Sequence, residues 1–249
     1  MKSLIVANWK MNPRTMREAK KLLEETKHIT SLLKGVTVVV CPPVVFLREL
    51  AAGNRGRVSF GAQNVHFESQ GSYTGEISIP QIKDAKATHI IIGHAERRAM
   101  GETNDDVRKK VDTALDAGLT PIVCVGENSR DQSAGHFNFV REQLRAGISE
   151  DAGKKLSKII IAYEPIWAIG ATKAMEPRQM HEMSIFIRKT LVERFGEAGH
   201  SIKILYGGSV DGENAADMMR NGDVVGLLVG RASVDIQALT ELLRACAEA

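Results

Sequence analysis

One apolar stretch of the chain ends in a carboxylate. Residues 158–170 are KIIIAYEPIWAIG, so a run rich in Ile and Ala leads directly to Glu164. Charged side chains are mostly exposed, and a solvated Glu164 explains the stretch equally well when it is taken alone. In a cleft, however, this carboxylate is a candidate base for a C–H proton next to a carbonyl.

Two other side chains could assist such a base. His94 precedes AERRAMGE, a segment of good helix formers, and the amides at a helix start disfavour imidazolium. A neutral imidazole could donate to a carbonyl and carry protons, although capping the helix is an alternative role. Lys10 could stabilise a phosphate or a developing enolate, or it could be a solvated surface lysine.

Two glycine-containing turns could hold a phosphate. They are Gly207-Gly208-Ser209 and Gly230-Arg231-Ala232-Ser233. Glycine lets backbone amides approach a phosphate oxygen, although a tight turn alone would explain either segment. Together with the base, the imidazole and the cation, the turns suggest proton abstraction and return on a phosphorylated carbonyl compound. The stretch from Pro165 to Met175 contains small residues between stiffer ends and is typical of a lid.

These residues follow apolar runs that alternate with amphipathic segments. The runs are SLIVANW, VTVVVCP, VSFGAQNV, THIIIGH, TPIVCVG, KIIIAYE, IKILYGG and VVGLLVG. The helical segments include MREAKKLLEETKHITSLL, DDVRKKVDTALDAG, FNFVREQLRAGI and QMHEMSIFIRKTLVERFG. Near-continuous Val- and Ile-rich strands are typical of parallel sheets buried on both faces.

Eight strand–helix units without a Pro/Ser-rich linker favour a (β/α)8 barrel that forms a single domain over residues 1–249. An open doubly wound sheet is the alternative, but it would usually have a GxGxxG turn after strand one. Here that strand ends in Asn8-Trp9-Lys10. In a barrel, reactive groups lie at the carboxyl ends of the strands, which is where all the residues above occur.

Composition excludes several other classes. The chain has 249 residues, is 43% hydrophobic and 25% charged, and has a net charge of +3 with both signs interspersed. We therefore expect no nucleic-acid or membrane partner. Cys41, Cys124 and Cys246 show neither metal-site nor disulfide spacing, and no apolar stretch approaches the ~18 residues of a membrane span. A cytoplasmic protein without a metal is expected.

The motifs resemble those of the triosephosphate isomerase family. They are ANWKMN (7–12), GAQNVHFESQGSYTGEIS (61–78), GHAERR (93–98), CVGE (124–127), AYEPIWAIG (162–170), YGGSV (206–210) and LLVGRAS (227–233). They occur in family order and span the chain. The resemblance implies interconversion of dihydroxyacetone phosphate and glyceraldehyde 3-phosphate through an enediolate, in glycolysis and gluconeogenesis, without a cofactor.

The resemblance also implies a role for each site residue. Glu164 would move the proton, His94 would polarise the carbonyl, Lys10 and Asn8 would contact the substrate, and Glu96 would orient the lysine. The implied substrate- and phosphate-binding residues are Asn8, Lys10, Gly170, Ala171, Ser209, Gly230 and Arg231. The implied lid and hinge residues are Pro165, Ile166, Trp167, Lys173 and Tyr206. Residues 64–79 would form a long loop whose tip at Thr74 contacts Met11 and Lys10 of a second subunit, which implies a two-fold homodimer.

The sequence departs from the family pattern at four places. Ala95 replaces the usual Ser, which should change the resting position of Glu164. Ala171-Thr172 replaces Thr-Gly in the lid, and Arg231 replaces a glycine, where it would either crowd the phosphate amides or point outward. Val225 replaces Asp and is interpreted as a change behind the site residues. We expect activity to survive these changes with altered KM or lid kinetics.

Two other functions are compatible with parts of the pattern. Another phosphate-binding barrel isomerase, acting for example on a phosphoribosyl intermediate, would share the turns after strands seven and eight but would not need the other motifs together. A catalytically silent homologue with a binding role would be compatible with the lid changes and Arg231. Substrate turnover distinguishes these functions.

Overall fold

Strands and helices alternate along the chain, as the apolar runs predict. The computed structural model describes residues 2–54, 56–130, 134–169 and 174–249. Its strands are β1 (Ser3–Asn8), β2 (Val36–Cys41), β3 (Val58–Ala62), β4 (His89–Ile92), β5 (Thr120–Val125), β6 (Ile160–Tyr163), β7 (Lys203–Tyr206) and β8 (Gly226–Val229). Each strand lies within one of the eight predicted runs.

The α-helices of the described ranges follow the strands. They are α1 (Met16–Leu32), α2 (Val44–Ala51), α3 (Ile79–Asp84), α4 (Ala95–Ala99), α5 (Asn104–Asp116), α6 (Gly135–Gly147), α7 (Pro177–Phe195), α8 (Ala215–Asn221) and α9 (Ile236–Glu248). Short 3₁₀ segments lie at Glu150–Lys158, Ile166–Ala168, Gly196–Ser201 and Arg231–Val234. None of these helices combines the length and hydropathy needed to cross a membrane.

The eight strands form a closed parallel barrel in sequence order, which confirms the predicted fold class. Val6 on β1, for example, pairs with Val39 on β2 and with Leu228 on β8. Because the sheet is parallel and closed, all strand carboxyl ends meet at one mouth and all amino ends at the other. The strand-end residues chosen from the sequence must therefore share one end of the barrel.

Two apolar layers hold the barrel together. An inner cluster fills its interior and includes Val6, Val39 and Ile91, all at most 1% exposed. An outer cluster joins the other face of the strands to the helices. On α7, Met180 and Ile187 are fully buried in that outer layer, because residues three and four apart share one helix face. Burial on both faces accounts for the near-continuous apolar strands.

Helix ends follow their sequence signals. Thr103 caps α5 through its side chain and forms a capping box with Asp106, which supplies partners for amides that would otherwise have none. Gly118 follows that helix with φ +79°, a conformation that favours glycine. These local signals set where helices begin and end, while closure of the barrel sets what they bring together.

Candidate active site

The carboxyl-end mouth of the barrel contains a cavity of about 470 Å³. This volume is ample for a small phosphorylated molecule. The cavity is lined by seven of the predicted site residues: Asn8, Lys10, His94, Glu164, Ser209, Gly230 and Arg231. The structure thus brings together groups that are up to 223 positions apart in the sequence.

Glu164 lies one residue beyond β6 and is only 3% exposed. One carboxylate oxygen is 3.1 Å from His94 Nε2, and the other accepts the backbone N–H of Ala95 at 3.2 Å. The backbone N–H of Glu164 donates to the carbonyl of Val125 at 2.8 Å, which fixes the main chain to β5. The apolar strand is therefore a rigid support that delivers a carboxylate into a nearly dry site.

The protonation state of Glu164 results from opposing causes. Burial raises the pKa of the carboxyl, but contact with His94, the thiol of Cys124 and the amide of Ala95 lower it, and the net pKa lies below the ordinary value. Hydrogen bonds that favour the charged form account for this outcome. At neutral pH the side chain is therefore an ionised carboxylate, as a general base requires.

His94 caps the short helix α4. Its Nδ1 accepts the backbone N–H of Glu96 at 3.2 Å, so Nε2 carries the proton and faces Glu164. Burial lowers the pKa of His94, and the Glu164 carboxylate raises it above the ordinary value. A second proton on Nδ1 would nevertheless eliminate the bond to the helix amide, so the geometry favours the neutral imidazole predicted from sequence.

Lys10 lies in a strained backbone conformation. Its φ is +53°, which is uncommon outside glycine and is concentrated at functional sites. The side-chain oxygen of Asn8 accepts the Lys10 N–H at 3.1 Å, and Gln63 donates to the Lys10 carbonyl at 2.9 Å. Lys10 Nζ lies 2.6 Å from a Glu96 carboxylate oxygen. Several bonds thus hold the ammonium in the cavity wall.

The two glycine turns lie beside these groups. A Cβ at position 230 would come within 3.1 Å of the Lys10 side chain, so glycine keeps that space open. The buried Ser233 hydroxyl donates to the carbonyl of Gly230 at 2.6 Å. The amide of Ser209, a predicted phosphate ligand, donates to the carbonyl of Ala168 at 3.2 Å. Arg231 is exposed at the rim of the cavity.

The first hinge of the predicted lid is tied to the barrel through Glu127. This buried carboxylate accepts the indole N–H of Trp167 at 2.9 Å and the hydroxyl of Tyr163 at 2.8 Å. Arg130 donates to it at 3.0 Å. Trp167 follows Pro165 and, with Ile166, forms a 3₁₀ turn.

The far end of the lid is tied through Tyr206. The hydroxyl of this residue accepts the backbone N–H of Met175 at 3.3 Å. Between the two ends, the predicted residues Gly170, Ala171 and Lys173 lie outside the described residues, as does the Thr172 departure.

Sequence reasoning missed three supporting residues. They are Gln63, Glu127 and Arg130. Gln63 follows β3 and Glu127 follows β5, so both stand at strand carboxyl ends. That position was the signal that could have identified them. Both occur in motifs already quoted, GAQNV and CVGE.

The departures from the family pattern fall in different parts of the barrel. Ala95 contacts the Glu164 carboxylate through its backbone amide alone. Val225, in contrast, was interpreted wrongly as lying behind the site residues. It precedes β8 and lines a cavity at the opposite mouth, because a residue before a parallel strand lies at its amino end.

Most of the residues predicted to form a subunit interface are exposed, although Lys10 is partly buried. Met11 is 93% exposed and Tyr73 is 45% exposed, and Thr74 at the loop tip is exposed as well. The predicted loop of residues 64–79 contains no helix up to Ser78, and its last residue, Ile79, begins α3. An isolated bridge between His66 and Ser78 closes the base of the loop.

Fold and site together define a barrel enzyme whose chemistry is proton transfer. The carboxylate and the imidazole are within hydrogen-bond distance, and the nearby ammonium suits a substrate that is, or becomes, anionic. Comparison with known proteins then gives the family. The family model described as "Triosephosphate isomerase" matches residues 3–246, and the chain belongs to this family.

Relatives agree with that assignment over nearly the whole chain. A curated "Triosephosphate isomerase" from Endomicrobium trichonymphae is 39% identical over 246 residues, which are 98% of each chain. The crystal structure of triosephosphate isomerase from Bartonella henselae superposes with a TM-score of 0.87 at 32% identity, covering 98% of this chain and 99% of that one. The predicted family, fold and enzyme class are confirmed.

Proposed function

We propose that the chain interconverts dihydroxyacetone phosphate and D-glyceraldehyde 3-phosphate by proton transfer through an enediolate, in glycolysis and gluconeogenesis. The observation that carries this proposal is the contact between the buried Glu164 carboxylate and His94 Nε2 at 3.1 Å. The contact lies in a cavity large enough for a small phosphorylated molecule, in a chain that belongs to this family. Family membership and the names of the relatives support the substrate pair.

Glu164 is proposed to remove the proton from one carbon and return it to the neighbouring carbon. Its lowered pKa keeps it ionised at neutral pH. His94, with Nε2–H directed into the site, donates to the carbonyl oxygen and transfers protons between the two oxygens. A neutral donor suits this task because it can both give and accept a proton near neutral pH.

Lys10 and Asn8 are proposed to bind the substrate, with Glu96 orienting Lys10. The ammonium stabilises the negative charge that develops on the enediolate, and it does so without moving because its backbone is held on both sides. The Lys10–Glu96 contact of 2.6 Å supports the orienting role. The substrate must compete with Glu96 for this ammonium.

The phosphate is proposed to bind the amides of Ser209 and Gly230, Arg231 beside them, and Gly170 and Ala171 of the lid. The amide of Ser209 currently donates to Ala168, which starts the lid segment. Phosphate binding would replace that partner and so release the lid from the barrel. Pro165, Ile166, Trp167 and Lys173 are proposed as lid and hinge residues, with Tyr206 holding the far end. A closed lid would keep water from the enediolate.

Isomerisation of glyceraldehyde 3-phosphate in D₂O, followed by a coupled dehydrogenase and by NMR, tests the proposal. We expect rapid turnover, deuterium at the exchanged carbon, and at least a thousandfold (~10³) loss of kcat in Glu164→Gln, because the amide cannot act as a base. Glu182→Gln, an exposed change on α7, is the matched control. No turnover by the parent chain, or full activity of Glu164→Gln, would reject it.

The protein is also proposed to form a two-fold homodimer, in which the loop tip at Thr74 contacts the Met11 region of the second subunit. Exposure of the large apolar side chains Met11, Val45 and Tyr73 supports such an interface, because association would remove this apolar surface from water. We expect dimer mass in sedimentation at micromolar concentration. Thr74→Arg should shift the mass towards monomer and Gln179→Arg should not, and a monomeric parent chain would refute this part. A cytoplasmic location is part of the same proposal.

A further inference from the structure

The amino-end mouth of the barrel contains a second cavity, of about 430 Å³. Leu4, Val39, Ile160 and Val225 form its apolar floor. Val39 and Ile160 belong to the inner cluster of the barrel, and Leu4 and Val225 pack against that cluster. Because this inner cluster is buried and fills the barrel, the cavity is separate from the active site. It has the size of a small-molecule site.

The charged groups that line this cavity are cations or potential cations. Lys2 precedes β1, His89 begins β4, Lys158 ends the 3₁₀ segment before β6, and Lys203 begins β7. The lining contains no carboxylate within the described part of the chain. None of the three ammonium groups has a carboxylate within 4.0 Å among the described residues. Four separate elements therefore contribute to one patch of uncompensated positive charge.

The imidazole of His89 reports the charge of this mouth. Burial lowers its pKa, and the neighbouring Lys203 lowers it further, to about 4. The carbonyl ends of the helices also face this mouth and carry partial negative charge, but that effect falls off within the last helical turn. The ammonium groups line the cavity itself, so their full charges dominate inside it.

Neutral donors lie among these cations. Thr37, Thr120 and Ser157 line the same cavity with hydroxyl groups. A phosphate group accepts hydrogen bonds on all its oxygens, and lysine ammonium groups bind it as point charges. The combination of cations, hydroxyl groups and an apolar floor suits a phosphate-bearing molecule better than a simple halide.

We propose that this mouth binds a compact phosphate-bearing anion through Lys2, Lys158 and Lys203. The site lies at the opposite end of the barrel from Glu164 and does not depend on the proposed activity. Its ligand would be inorganic pyrophosphate or a phosphorylated small molecule, bound independently of the substrate in the active site.

The first experiment is a titration of the full-length chain with inorganic pyrophosphate, without divalent cations, observed through the ring signals of His89 by NMR. Bound anion should neutralise the local positive charge and so raise the pKa of His89 from about 4. The signals should move saturably, and the apparent Kd should weaken as salt is added. Competitive inhibition of turnover by the same compound measures binding at the active-site mouth separately.

Two variants of the cavity test the assignment in opposite ways. Lys158→Met with Lys203→Met should weaken the His89-detected Kd at least tenfold and leave the active-site inhibition constant unchanged. Val225→Asp, which adds a carboxylate to the floor, should weaken the same Kd while keeping every lysine. The matched control is Lys21→Met with Lys189→Met, which removes equal charge from exposed positions away from the cavity.

Three results would overturn the proposal. His89 signals that do not move at millimolar pyrophosphate, while turnover is inhibited, would mean that this mouth binds no such anion. An equal loss of pyrophosphate affinity in the double variant of the cavity lysines and in the double control variant would mean that only the net charge of the protein matters. Unchanged affinity in a folded cavity pair would exclude the lysines as ligands.

Discussion

Gly207 lies directly beside the carboxylate of Glu164, the proposed base. A Cβ at this position would lie 2.8 Å from Glu164 Cγ and 3.5 Å from the carbonyl oxygen of Tyr163. The second contact is ordinary, whereas the first requires Glu164 Cγ to move by about 0.6 Å to reach ordinary contact at 3.4 Å. The φ of Gly207 is not in the left-handed region, so Gly207→Ala displaces the Glu164 side chain without straining the backbone at residue 207.

The expected cost follows from the contacts of the Glu164 carboxylate with His94 and Ala95. Its oxygens lie 3.1 Å from His94 and 3.2 Å from the Ala95 amide, and a shift at Cγ lengthens at least one of them. Misplacing a catalytic group by 1 Å costs on the order of 10²-fold, so we expect kcat to fall by about 10- to 100-fold. Overpacking lowers the free energy of unfolding by about 1–3 kcal/mol, and we expect the lower figure because the Glu164 side chain is flexible.

The assay is steady-state isomerisation in both directions, together with thermal unfolding. KM should change less than kcat, because the shift at Glu164 does not displace the amides of Ser209 and Gly230, which are proposed to bind the phosphate. A loss of 1 kcal/mol corresponds to a Tm decrease of roughly 2–4 °C for a chain of this size. Gly153→Ala is the matched control, since a Cβ there would meet Phe195 at 3.7 Å, an ordinary contact.

A folded Gly207→Ala variant with parental kcat would refute the reasoning. It would mean that the position of Glu164 in this structure is not the position from which it acts. A rise in KM with unchanged kcat would refute it too, because that would make Gly207 a substrate-binding position. A loss of kcat shared equally by Gly153→Ala would show that general destabilisation is responsible.

Three further predictions concern the supports of the site and the opposite mouth. Gly126→Ala should destabilise the fold by about 3 kcal/mol or more by chemical denaturation, because its Cβ would lie 1.8 Å from the backbone oxygen of Glu164. Trp167→Phe should remove the 2.9 Å bond to Glu127 and cost about 0.5–1.5 kcal/mol in unfolding free energy, with stopped-flow showing faster lid motion. The pKa of His89 is about 4 in the folded protein, against an ordinary value of 6.5 in the unfolded chain. Between these two pH values the unfolded state binds more protons than the folded state, so stability falls as the pH drops from 6.5 towards 4. His89→Gln should flatten that dependence in denaturation at several pH values.

Topology explains why the sequence predicted much of the site. Once the strands are parallel and closed, every strand carboxyl end must lie at one mouth, so Glu164, His94 and Lys10 could be placed together without knowing any side-chain contact. The same rule would have placed Val225 at the opposite mouth. That interpretation was wrong because it followed the departure from the family pattern at this position and did not use the direction of β8.

The supporting contacts could not be predicted in this way. Gln63 and Lys10 are 53 positions apart, and Glu127 and Trp167 are 40 apart. Strand topology brings such pairs near each other but does not specify which side chain bonds to which, because that depends on rotamers and local packing. The left-handed backbone of Lys10 was equally invisible, since lysine gives no sign of a positive φ.

The contacts that the site residues make without substrate indicate how substrate binding and lid movement are linked. The Glu164 carboxylate already bonds His94, the Lys10 ammonium already bonds Glu96, and the Ser209 amide already bonds the carbonyl at which the lid begins. Each of these three groups, which are proposed to act on substrate, therefore has a partner that the substrate must replace. Glu164 and His94 are buried, and a buried polar group is costly to leave without a partner, so the exchange at this pair must occur together with substrate binding and not before it. In the proposed mechanism, a phosphate that takes the Ser209 amide would release Ala168 as the substrate oxygens take His94 and Lys10, and this exchange would couple closure of the lid to correct occupation of the site.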